Sequence, residues 1–136
     1  MTHDLWILLC LAVLTELLTL PPVFARAAVP GGWTWIFHNR DTELDGVAPW
    51  GGRAVRAHQN LVSNLGIYAV VIVLAHITGA ANEITAMAAT VLLLTRIAYT
   101  LIYIAGIPYL RTAVFAVGQV AMLVFVWQIV VHYLAH

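Results

Sequence analysis

Crossing a bilayer takes roughly 20 consecutive, mostly apolar residues in helical form, and this chain offers four such stretches, at about 5–25, 55–79, 83–105 and 110–133. Few folds accommodate that pattern. With 62% hydrophobic and only 9% charged residues, a soluble version would carry more apolar surface than it could bury. The expected fold is all-α, an integral membrane four-helix bundle that forms one domain over 1–136.

Punctuation supports the division. Pro21-Pro22 removes two backbone donors and kinks or finishes the first helix. Gly79-Ala80-Ala81-Asn82 links the second and third helices, and Gly106-Ile107-Pro108 links the third and fourth. Connections this short require antiparallel neighbours. The connection at about 26–52 is different: it holds Pro30-Gly31-Gly32, Trp33, Trp35 and the polar run from His38 to Gly46. A loop this long in so small a protein is more often functional than idle. The N-terminus lacks both a basic n-region and a small-residue cleavage site, so the first apolar run reads as a retained helix.

Arginine sets the orientation. Arg26, Arg40, Arg53, Arg56 and Arg111 lie in or beside the first and third connections. The positive-inside rule therefore places those connections in the cytoplasm and both termini outside. Trp6, Trp127 and Tyr133 then fall in the outer aromatic belt. Net charge is zero and lysine is absent, so no basic face exists for nucleic acid.

The intramembrane polar residues are phased. Arg53, Arg56, Asn60, Ser63 and Asn64 recur at threes and fours along the second helix and share one face. Arg96 lies about 21 Å along the third helix at 1.5 Å per residue, followed by Tyr99 and Tyr103 on the same side. Arg111 opens the fourth helix, with Phe115 one turn on. Together they form a pocket for an anion at the cytoplasmic side. Arg53, Arg56 and Arg111 could alternatively snorkel to headgroups. Arg96 is too deep for that and needs a partner, for which Glu16, about 16 Å into the first helix by the same rise, is the candidate.

At these residues the chain resembles the MAPEG family, the membrane-associated proteins in eicosanoid and glutathione metabolism, in a bacterial-type form. The segment from Gly52 to Leu61 is similar to the family's hallmark, an arginine (Arg56) with asparagine four residues on (Asn60), and Arg96-Ile97-Ala98-Tyr99 with Tyr103 and Arg111 is the second match. The first helix matches by topology alone. The resemblance implies a homotrimer in a bacterial inner membrane that binds glutathione between subunits near the cytoplasmic face. Arg56 and Asn60 would hold the tripeptide, joined on the same pocket by Arg53, Ser63 and Arg96. Tyr99 and Tyr103 would line the site, and Arg111 would stand beside the sulfur as the catalytic residue. A guanidinium there lowers the thiol pKa, and the thiolate is the nucleophile. Ser63 occupies the position where the family has Glu or Asp, so the ammonium of glutathione lacks a partner there. A hydrogen bond to a charged group is worth about 1.5–3 kcal/mol.

Two functions follow from these features: a glutathione-dependent transferase or peroxidase acting on hydrophobic electrophiles, or a non-catalytic lipid-binding member or accessory subunit of a larger membrane complex. Other chemistry finds little footing. His3, His76, His132 and His136 cluster towards the outer surface, but no carboxylate is evident to orient them as haem or metal ligands. Asp41 to Gly46 imitates a calcium loop whose twelfth position is Gly52 rather than Glu. Cys10, the sole cysteine, sits in an apolar run as a packing residue, and His58 lies off the polar stripe with no nucleophile nearby.

Overall fold

A computed structural model describes residues 1–135, and every regular element among them is a helix. His136, considered above with the outer histidines, lies outside the described residues.

The first apolar stretch folds as α1 (His3–Leu17) and α2 (Leu20–Ala27), broken at Leu18 and Thr19. The break follows from Pro21 and Pro22, whose missing N–H groups leave carbonyls one turn earlier without donors. At the break both the Thr19 N–H and its hydroxyl donate to Glu16 O, at 3.0 and 2.7 Å. The proline pair thus kinks the span without ending it, because proline is tolerated in the first turn of α2. Together α1 and α2 make one span of 25 residues, His3–Ala27.

In the connection, a short α3 (Gly32–Phe37) precedes α4 (Pro49–Ile77). The second long helix therefore starts about six residues before the expected 55, with Pro49 in its first turn, a position suited to a residue without an N–H. Its 29 residues reach about 43 Å at 1.5 Å per residue, longer than a hydrocarbon core of about 30 Å. The turns carrying Arg53 and Arg56 thus project towards the headgroups. Asn82 caps α5 (Glu83–Ala105) through a capping box with Thr85. Gly106, at φ 86°, ends it in the left-handed conformation open to glycine, and α6 (Pro108–Leu134) follows.

α5 and α6 pair most extensively, with α1 and α4 laid against them. Leu11, Leu61, Tyr68, Ile72, Leu92, Met122 and Phe125 fill the centre. Leu94, Leu101, Leu123 and Trp127 point outward, as a surface solvated by acyl chains requires. At the end opposite the loop, a polar clasp joins three helices. The buried Asp4 of α1 accepts from Thr85 Oγ1 at 2.8 Å, and Asn82 Nδ2 donates to Gln128 Oε1 of α6 at 2.9 Å.

Candidate functional site

The site is built at the loop end of the bundle, where α4 and α6 begin and α5 ends. Because α4 is already helical at Pro49, Arg53, Arg56 and Asn60 occupy successive turns, yet they are used differently. Arg53 Nε donates to Ile104 O at 2.8 Å, meeting one of the carbonyls that the end of α5 leaves without a helical donor. Its guanidinium lies so close to Gly106 that a Cβ there would sit 3.2 Å from Arg53 Cζ. Arg53 is thereby a strut between α4 and α5.

Asn60 instead meets Tyr99, Tyr103, Arg111, Thr112 and Phe115 around a cavity of about 260 Å³. Arg111 Cζ stands 4.4 Å from the Tyr103 ring centroid, within cation–π reach. Tyr103 meets Tyr99 edge-on at 5.5 Å, and Tyr99 meets Phe115 at 5.7 Å. Asn60 Oδ1 is buried without a hydrogen-bond partner. The cavity thus offers a guanidinium, two phenols and an amide oxygen, a set suited to an anion that also presents a donor.

Arg96 lies behind this wall at 1% exposure. Its Cζ is 4.7 Å from the Phe115 centroid, 5.1 Å from Tyr68 and 5.9 Å from Tyr99, while Nε and both terminal nitrogens have no hydrogen-bond partner. The expected pairing with Glu16 is not formed. α1 turns Ile7, Leu11 and Thr15 inward, and the next residue, about 100° further round the helix, is exposed. Aromatic faces substitute for the carboxylate, offsetting part of the cost of burying the charge. Tyr68 went unremarked in the sequence, although it continues the run of fours from Asn60 and Asn64.

Ser63 and Arg56 lie on the outward side of α4. The Ser63 hydroxyl donates back to Gln59 O at 2.8 Å, and Asn64 Nδ2 does the same to Asn60 O at 2.7 Å. Arg56 is exposed and enters a second groove of about 520 Å³, shared with Arg26, Trp35, Glu43 and Gly52. Both Arg26 Cζ, at 5.4 Å, and Arg40 Cζ, at 5.5 Å, lie over the Trp35 ring. In sequence Arg26 served only to orient the chain; that it lines the same groove as Arg56 has no local signature.

Of the residues anticipated for the pocket, Asn60, Tyr99, Tyr103 and Arg111 line one cavity and Arg96 backs it. Arg56 opens onto the adjoining groove. Arg53 is committed to α5, and Ser63 faces outward.

Searches of curated proteins and of solved structures returned no significant match. The MAPEG family, by contrast, matches residues 5–131, nearly the whole chain, including every helix that contributes to the cavity. This four-span membrane protein belongs to the MAPEG family.

Proposed function

We propose that the chain is a glutathione-dependent membrane transferase or peroxidase acting on hydrophobic electrophiles that arrive through the bilayer. The observation that carries this reading is the convergence of Asn60, Tyr99, Tyr103 and Arg111 on one cavity, one helical turn from Arg56. Glutathione would supply a thiol whose ionised form is the nucleophile. Arg111 would hold the sulfur as its anion, because a nearby guanidinium favours the charged state. Tyr99 and Tyr103 would donate to it. Arg56 would bind a carboxylate as a two-pronged donor. The buried, unpartnered Asn60 Oδ1 suits a backbone N–H of the peptide.

A homotrimer with the site between subunits is part of the proposal. Gly52, Arg56, Gln59, Ser63, Gly66, Val70, Val73 and Ile77 recur at alternating intervals of four and three along α4, on the side away from the core. The polar half of that face is ill-suited to lipid, where an arginine costs at least a few kcal/mol, and its glycines and serine permit close helix approach. Three copies packing through α4 would bring Arg56 and its groove on each subunit to the interface. Arg26, Arg40, Arg53, Arg56 and Arg111 would orient the loop end to the cytoplasm of a bacterial cell, with both termini outside.

Calorimetric titration of glutathione into the protein in nanodiscs tests the reading. Arg56→Ala should weaken binding about tenfold, the equivalent of about 1.4 kcal/mol. Arg111→Ala should retain binding, lose the ultraviolet absorbance of the bound thiolate and shift the rate–pH profile upward. No heat from the wild type at millimolar glutathione would sink the proposal. One observation favours a second reading, an accessory subunit. Trp33 and Phe37 stack at 6.2 Å on α3 with exposures of 57% and 81%. Isolation with stoichiometric foreign subunits would support that role.

A further inference from the structure

We propose that Glu43 is the ammonium-binding residue of the peptide site, taking the role for which Ser63 has no charge; the inference rests on the glutathione reading above. The groove beside α4 brings Arg26, Arg56 and Glu43 onto one lining, two guanidiniums and one carboxylate. Glutathione carries the complement, two carboxylates and one ammonium. No carboxylate lines the neighbouring cavity around Asn60 and Arg111, so among the described residues the groove is where the ammonium can find one.

The three groups are available. Among the described residues neither the Glu43 nor the Arg56 side chain makes a hydrogen bond or an ion pair, and Arg26 makes only a long 3.4 Å contact to Pro22 O besides stacking on Trp35. Glu43 is held in position through its neighbour. The indole Nε1–H of Trp35 donates to Thr42 O at 2.6 Å, and the guanidiniums of Arg26 and Arg40 both stack on that indole. The loop is thereby fixed one residue before the carboxylate. Along α4, Arg56 and Asn60 are one turn apart, so their Cα atoms are separated by about 6 Å. With its sulfur by Arg111, the tripeptide would run along α4 past Asn60 and Arg56 towards the groove. The acidic function expected on a transmembrane helix is relocated to the long connection, which accounts for a serine at position 63 in a chain that keeps Arg56 and Asn60.

The test compares glutathione with glutaryl-cysteinylglycine, which lacks only the α-amino group, by calorimetric titration of the full-length protein in nanodiscs. A hydrogen bond to a charged group gives a preference of at least about tenfold, each factor of ten being about 1.4 kcal/mol, so the wild type should favour glutathione by about that factor or more. Glu43→Gln should reduce the preference to less than about twofold while leaving affinity for the deaminated compound unchanged. Asp45→Asn, a loop carboxylate outside the groove, should retain it. A tenfold preference that persists in Glu43→Gln overturns the assignment and leaves the glutathione reading standing, as does a wild type that binds both compounds equally. A wild type that binds neither overturns the glutathione reading itself.

Discussion

Gly118 is where the structure makes its sharpest energetic demand. A Cβ built there would lie 2.8 Å from Thr95 Oγ1, closer than a methyl group tolerates, and 3.1 Å from Arg96 Nη2, which would have to give by a few tenths of an ångström. Neither neighbour is free to yield. Thr95 Oγ1 donates to Leu92 O at 2.8 Å, and the Arg96 guanidinium is enclosed by Tyr68, Tyr99 and Phe115. Alanine is a better helix former than glycine by about 0.8–1.0 kcal/mol, so Gly118→Ala would stabilise α6 if nothing stood in the way. Forcing a methyl into packed side chains costs about 1–3 kcal/mol, and releasing the Thr95 hydrogen bond adds about 1 kcal/mol. The net expectation is a loss of about 1–3 kcal/mol. Unfolding in mixed micelles, followed by circular dichroism, measures it. Thr95→Ala in the same chain removes the closer of the two contacts and should recover about 1 kcal/mol, a coupling that a double-mutant cycle isolates. A Gly118→Ala protein as stable as the wild type, or more so, refutes the close approach of α5 and α6 and with it the rigid placement of Arg96.

Three further outcomes are expected. Arg53→Ala should lower unfolding stability by about 1.5–3 kcal/mol through loss of a charged donor to Ile104 O, yet change glutathione affinity less than Arg56→Ala does; equal effects on affinity would put Arg53 back in the pocket. Gly66→Ile adds bulk where the isolated subunit has open space, so native mass spectrometry should show three copies falling to one; an intact trimer would remove α4 from the interface. Asp4→Ala should destabilise the clasp opposite the loop by about 0.5–1.5 kcal/mol, because Thr85 Oγ1 loses one acceptor and keeps Asn82 O, whereas Asp4→Asn should retain most of it. Identical melting of these two variants would show that the hydrogen bond contributes little.

The four spans, the order of the helices and the shared face of Tyr99 and Tyr103 were legible in sequence. They follow from quantities local to each segment: the thickness of a hydrocarbon core, the period of a helix and the missing donor of proline. What each polar side chain does with its charge was not legible. Arg53 and Arg56 are three residues apart in like surroundings, but one meets the end of α5 and the other opens onto the loop. Glu16 and Arg96 looked paired by depth, but depth carries no information about azimuth, and the face that α1 turns inward leaves Glu16 exposed. The groove shared by Arg26, Glu43 and Arg56, and the three rings around Arg96, join residues far apart in the chain. Helical period and hydropathy sort residues into spans and faces. Which face meets which neighbour is decided by packing between helices, so tertiary structure alone determined which guanidiniums brace the helices and which open onto a groove or cavity.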